Sequence, residues 1–219
     1  KRSPAPLLYD LTELQREANQ RYDFSAKETL SIMQSLYERH KLVTYPRTDS
    51  RYLSSDMVET LADRIKSSAV GPYSKFGARI MKGPIKGRPS FINDSKVSDH
   101  HAIIPTEQRV FLADLNDRER KIYDMVVRRF FAVLFPPYEY EQVTIRGKLG
   151  DQPFHAKGER TISLGWRELY EDTAQGDRSI QALLDFKEGE RVKGSSVQVI
   201  SGQTKPPSPF TEATLLSAM

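Results

Sequence analysis

Apolar residues recur at helical spacing through roughly the first 136 positions and then give way to a partial two-residue alternation. Over residues 10–22, Leu11, Leu14 and Ala18 mark one helix face, and Asp10 with Glu13 three residues on reads as a capping pair. A second helix starts at the capping-box sequence Ser25-Ala26-Lys27-Glu28, and Leu30, Met33, Leu36 and Tyr37 carry its face to about Arg39. The extended piece Leu42-Val43-Thr44-Tyr45 then runs into Pro46, whose ring pushes Tyr45 out of the helical region, so Tyr45 ends an element and begins a loop. A third helix is capped at Ser54 or Ser55, carries Met57, Leu61 and Ile65 at intervals of four, and breaks at Gly71-Pro72. Residues 83–97, rich in Gly, Pro, Lys and Arg, read as an exposed basic loop. A fourth helix has Asn116 and Glu119 as its capping pair and a buried stripe of Ile122, Met125 or Val126, Phe130 and Val133, ending at Pro136-Pro137.

Beyond Pro137 the residue types of residues 138–146 are those of a strand, and Gly150-Asp151 marks a turn. Further strands are expected at residues 154–157 and 161–164 and around Val192 and Val197-Gln198-Val199. Helices first and strands second predict an α+β chain. The expected organisation is a helical domain over residues 1–136, a β-rich segment over 137–205 and the start of a following helical domain over 206–219. In that last stretch Thr211 caps a helix whose first turn holds Glu212. The helix runs for about two turns only, and the opening Lys1-Arg2-Ser3 lacks an initiator methionine, so the chain is expected to be a piece of a longer protein.

Composition narrows the chemistry. With no cysteine the chain has no disulfide framework, thiol nucleophile or cysteine-based zinc ribbon. No run of about 18 apolar residues suggests a membrane span, so no membrane partner is expected. The formal charge of +4 on 219 residues permits nucleic-acid binding without demanding it. A GxxxxGK[ST] phosphate loop is missing, which removes nucleotide hydrolysis of that kind.

The most unusual local sequence is Thr44-Tyr45-Pro46-Arg47-Thr48-Asp49-Ser50. A phenol with an ordinary pKa near ~10 is a poor nucleophile until positive charge stabilises the phenolate. Arg47 supplies such a charge, and a guanidinium also forks onto phosphate oxygens. The residues alone also fit a loop tyrosine packed beside a proline with an ordinary surface arginine. A second cluster is Ser98-Asp99-His100-His101-Ala102-Ile103-Ile104-Pro105-Thr106. Adjacent histidines in an extended segment point to opposite faces and chelate one metal poorly, so no metal site is expected here. One imidazole facing a phosphate, kept protonated by Asp99, is the functional reading; a structural histidine is the other. The loop Gly83-Pro84-Ile85-Lys86-Gly87-Arg88-Pro89 reads as a solvated surface or as a contact to a nucleic-acid backbone.

Taken in order, Leu8-Tyr9-Asp10-Leu11-Thr12, Leu14-Gln15-Arg16-Glu17-Ala18, Leu36-Tyr37-Glu38, the Tyr45 and His100 segments, and Phe210-Thr211-Glu212-Ala213-Thr214-Leu215 resemble type IA DNA topoisomerases, nearest to their bacterial topoisomerase III branch. The resemblance implies that Tyr45 attacks a backbone phosphate of single-stranded DNA and becomes a 5′-phosphotyrosine, without ATP. It implies that Arg47 and His100 hold the phosphate, with His101 the second choice, and that Phe210 and Thr211 contact DNA. It further implies a cytoplasmic, nucleoid-associated enzyme. The Mg²⁺ of such an enzyme belongs to a carboxylate domain of the same protein that has no counterpart in this chain, which would leave this piece inactive alone; no metal is expected within it. Two alternatives are a non-catalytic single-stranded DNA-binding module and a tyrosine recombinase. The latter places its tyrosine after a His-x-x-Arg motif, whereas Tyr45 precedes His100 and Ile103 occupies the arginine's position.

Overall fold

The carboxylate of Asp10 accepts the Glu13 N–H at 2.6 Å and starts helix α1 (Leu11–Tyr22), which ends where Asp23 turns left-handed and returns its N–H to Asn19. This is a computed structural model, and it describes residues 1–173, 188–191 and 198–219. Ser25 caps α2 (Ala26–Gln34) through the Glu28 N–H, but the capping box is only half used, because the Glu28 carboxylate pairs with Arg118 at 2.8 Å. Past Gln34 the helix widens into a π turn over Ser35–Arg39, and Lys41 then takes a left-handed conformation that releases the chain toward Tyr45.

The third helix begins as a 3₁₀ segment, Ser55–Thr60, and becomes α3 at Leu61–Ser68. Gly71-Pro72 does end it, but also opens a further helix: a 3₁₀ turn at Gly71–Tyr73 leads into α4 (Ser74–Ile80), which the periodicity does not reveal. Proline suits the first turn of a helix, where its missing N–H is no loss, so one Gly-Pro serves as both stop and start.

Helix α5 (Asp117–Leu134) has the full capping box, with Asn116 accepting the Arg118 and Glu119 N–H groups and Glu119 accepting the Asn116 N–H. Its expected stripe is buried, and so are Tyr123, Val127, Phe131, Arg128 and Arg129, because α2, α4 and a 3₁₀ segment at Gly165–Thr173 pack around it. The core of the described chain is centred on this helix.

Glu119 illustrates how a cap acquires a tertiary role. Burial opposes its ionisation, but hydrogen bonds from the Ser35 hydroxyl (2.6 Å) and the Asn116 N–H, with His40 at 3.3 Å, hold its carboxyl below the usual range. The native value is lowered, so its contribution to stability is complete above the ordinary carboxylate pKa and is lost as pH falls through the native one. Urea denaturation across the acid range should show a steeper loss of stability for the wild type than for Glu119→Gln; identical acid limbs would contradict this assignment.

After Pro136-Pro137 the chain forms an antiparallel ribbon of β2 (Tyr138–Leu149) and β3 (Gln152–Ser163), closed by the Gly150-Asp151 turn. The two strands expected at 154–157 and 161–164 are thus one continuous strand, since in a two-stranded ribbon the polar residues between them face solvent on either side. A two-residue strand, β1 (Arg2–Ser3), adds to the other edge of β2, giving the order β1-β2-β3. The ribbon's base is tight: Gly165 sits at φ +51° with its Cα so near the Pro137 carbonyl that a Cβ would lie 2.2 Å from the oxygen, and the Trp166 N–H donates to Pro136. Of the later expected strands, Val192 and Val197 lie outside the described residues, and Gln198 and Val199 are irregular. The final helix, α6 (Glu212–Ala218), is capped by Thr211 and packs on α1, where Ala213 N–H donates to Asn19 and Glu212 accepts the Ala26 N–H at the start of α2. Among the described residues no helix is long and apolar enough to cross a membrane.

Candidate active site

Tyr45 is delivered to the surface by a short irregular ladder. The Thr44 N–H donates to Ile104 O (3.0 Å), Val43 bridges to Pro105, and Thr106 N–H donates to Leu42 O, so residues 42–44 run antiparallel to 104–106. The Thr44 hydroxyl works on both sides of that ladder: it donates to Ala102 O at 3.2 Å and accepts the Ile104 N–H at 3.0 Å. Four residues later the Thr48 hydroxyl donates to His100 O at 3.1 Å and accepts the Ser50 N–H. Two threonines therefore clamp the tyrosine loop to the histidine segment on either side of Tyr45. Behind the clamp, Ile103 N–H donates to Tyr9 O, the buried Arg64 donates to Pro105 O, and Leu11 N–H donates to Thr48 O.

The result is a close pair of rings. Tyr45 and His100 have centroids 4.3 Å apart at 39°, and Tyr37, from the π turn after α2, meets Tyr45 edge-on at 5.5 Å. Tyr45 is half-buried, while His100 and Arg47 are exposed. Among the described residues, the Tyr45 hydroxyl, the Arg47 guanidinium and the His100 ring nitrogens make no hydrogen bond or ion pair. Asp99, expected to keep His100 protonated, forms no ion pair with it among the described residues, and the imidazole lies against the Tyr45 ring instead.

His101 is differently placed. It is half-buried with Nδ1 2.7 Å from Ala102 O, and burial is the main cause of its lowered pKa, the hydrogen bond to that carbonyl opposing. That is the environment of a neutral structural histidine, as the opposite-face argument for adjacent residues requires. Phe210 is 70% exposed, whereas Thr211 has its hydroxyl accepting the Thr214 N–H at 3.2 Å as the α6 cap. Neither has a contact with Tyr45, Arg47 or His100 among those the described residues show. Sequence patterning does not mark Thr44, Thr48, Tyr37 and Arg64 as site-building residues. All but Arg64 stand within the quoted segments, but nothing in a string of residue types shows which hydroxyl spans two strands.

Thr44→Val keeps the shape and removes the bridging hydroxyl, leaving the Ile104 N–H without its partner and Ala102 O with His101 Nδ1 alone. About 1–3 kcal/mol of local stability is expected to go. Misplacing Tyr45 against His100 should also slow any chemistry there by roughly 10–100-fold, with Thr44→Ser largely restoring it. Urea denaturation and single-turnover rates of the full-length protein measure both effects.

The whole chain, residues 1–219, matches the family model described as DNA topoisomerase. The chain belongs to the DNA topoisomerase family. It is 54% identical over 224 residues to the DNA topoisomerase 3 of Bacillus cereus and 52% identical over 223 residues to that of Bacillus subtilis, in each case over 100% of this chain and 31% of the relative. Among solved structures it is similar to full-length topoisomerase I from Thermotoga maritima, with a TM-score of 0.71 and 26% identity over 100% of this chain and 35% of that one. The chain thus spans under a third of the length of these topoisomerase 3 relatives. A magnesium site of the kind the family resemblance implies does not fit the described residues, among which no three His, Asp or Glu side chains converge.

Proposed function

We propose that this chain is the tyrosine-bearing part of a type IA DNA topoisomerase and that Tyr45 is its nucleophile. The observation that carries the reading is the Tyr45 phenol lying against the His100 ring and two residues from Arg47, with neither the phenol hydroxyl nor the guanidinium hydrogen-bonded or ion-paired among the described residues. The phenolic oxygen forms a bond to the phosphorus of a single-stranded DNA backbone as the P–O3′ bond breaks. The phenolic proton is lost and the 3′-oxygen leaves with a proton as a hydroxyl, so the downstream strand becomes a 5′-phosphotyrosine. Arg47 and His100 hold the non-bridging oxygens and offset the charge that develops in the transition state. Ester exchange conserves the bond, so attack by the 3′-hydroxyl reseals the strand without ATP. While the gap is open, a second strand passes. In this reading residues 1–136 carry the nucleophile, 137–205 form part of a hinged arch and 206–219 begin a following helical domain. Phe210 and Thr211 lie along the DNA path, Thr211 through its backbone because its hydroxyl caps α6. A carboxylate domain elsewhere in the same protein binds Mg²⁺, and the enzyme works on nucleoid DNA in the cytoplasm.

Strand-end labelling tests the chemistry. The full-length protein is given magnesium and a single-stranded oligonucleotide labelled at either end, then denatured. A 5′-phosphotyrosine retains the 3′ label on the protein. Retention of the 5′ label signifies the opposite linkage of a tyrosine recombinase, and retention of neither signifies a binding module without chemistry; both contradict the proposal.

A further inference from the structure

Beside the passage from α5 into the ribbon lies a cavity of about 550 Å³, walled by residues 83–89, the end of α4 and the α5–β2 junction. Ile85, Leu134 and Phe135 supply apolar lining, Arg79, Lys86 and Arg88 supply positive charge, and no Asp or Glu lines it. The basic loop is exposed yet anchored, not simply solvated. Gly87 packs so closely that a Cβ there would meet Val58 Cγ2 at 2.8 Å, and Arg88 donates to the carbonyls of Phe135 (2.9 Å) and Leu134 (3.3 Å), capping the last turn of α5. Arg79 pairs with Glu168 and lies 5.2 Å from the Phe135 ring centroid. Lys86 is exposed and makes no hydrogen bond or ion pair among the described residues.

We propose that this cavity binds a nucleoside monophosphate unit, with its phosphate at Lys86 and its sugar and base against Ile85 and Leu134. With Arg79 matched by Glu168, Lys86 and Arg88 leave the cavity wall net positive, which favours an anion. The volume lies within the ~300–1,000 Å³ of small-molecule sites and leaves room for far more than a bare phosphate, while the apolar lining suits an organic body. Lys86 takes the phosphate because the other two cations already serve Glu168 and the end of α5. The same chemistry is presented by a free nucleotide and by one unit of a nucleic-acid strand. No lining residue belongs to the Tyr45 site, so substitution of Tyr45 leaves the cavity's own residues unchanged.

Photoaffinity labelling of the full-length protein with 8-azidoadenosine 5′-monophosphate, coupled to peptide mapping, tests it. Label is expected on residues 83–89 or 134–136, displaced by thymidine 5′-monophosphate and about tenfold less well by adenosine, a ratio equal to roughly 1.4 kcal/mol. Lys86→Glu should cut the label about tenfold or more, whereas Lys86→Arg and Tyr45→Phe should keep it. Displacement by oligothymidylate at lower concentration than by the mononucleotide identifies a strand as the ligand's source, and the reverse order identifies a free nucleotide. Label absent from these peptides, equally displaced by adenosine, or undiminished in Lys86→Glu overturns the proposal.

Discussion

Tyr45→Phe in the full-length protein is expected to abolish the covalent DNA adduct while leaving the fold as stable as before. Phenylalanine keeps the ring, and with it the contacts to Tyr37 at 5.5 Å and His100 at 4.3 Å. The lost hydroxyl has no hydrogen-bond partner among the described residues, so its removal orphans nothing in the protein. The expected stability change is within about 0.5 kcal/mol, which is ordinary for a substitution away from packing and polar networks. The adduct should fall below detection, since no other atom of the ring can form the ester. DNA binding measured at equilibrium should persist, because Arg47 and His100 remain. A marked drop in thermal stability would mean that the hydroxyl serves the fold, and Tyr45 would then be a structural residue.

The second large effect is expected inside the helical body. Arg129 is 5% exposed on α5, yet it pairs with Glu17, donates to Leu7 O (2.9 Å) and to the Tyr9 hydroxyl (3.0 Å), and lies 4.1 Å from the Tyr9 ring centroid. Tyr9 in turn hydrogen-bonds Glu17 and, through its backbone, holds Ile103 at 2.8 Å. Burial is the main force pushing the Tyr9 phenol well above its ordinary pKa, with Arg129 opposing, so Tyr9 remains a neutral donor. Arg129→Leu fills much of the space but leaves the half-buried Glu17 carboxylate with Arg21 and the Tyr9 hydroxyl as its remaining partners. Breaking such a pair from one side costs about 3–5 kcal/mol, far more than the pair's own net worth. Urea denaturation should show that loss, and the Tyr9–Ile103 link should loosen the strand bearing His100. A loss under about 1 kcal/mol would show that Glu17 finds compensation elsewhere.

How much of the fold and the site is legible in the sequence depends on the range of the interaction involved. Asp10, Ser25 and Asn116 are readable as caps because a cap is settled within four residues, and Gly150-Asp151 is readable as a turn for the same reason. The helix at Ser74–Ile80 escapes the pattern because Gly-Pro reads locally as a stop alone. Arg128 and Arg129 look like solvated positions because helical period describes one apolar face, whereas α5 is enclosed on several sides. Tyr45 and His100 lie 55 positions apart, and no local pattern joins them; their order within a family does, and the Val43–Pro105 ladder is the physical cause. The clamp by Thr44 and Thr48 belongs wholly to tertiary structure. Conversely, Asp99 is next to His100 in sequence but forms no ion pair with it among the described residues, so adjacency overstates that interaction.

Peptide mapping of the trapped protein–DNA complex bears most directly on the assignment of Tyr45. The full-length protein is denatured during cleavage of single-stranded DNA, digested with protease and nuclease, and the nucleotide-bearing peptide is sequenced by mass spectrometry. The predicted result is one modified peptide containing Thr44-Tyr45-Pro46-Arg47, with a nucleotide joined through its 5′ phosphate to the Tyr45 oxygen. A nucleotide on any other residue, or on Tyr45 through a 3′ phosphate, would contradict it.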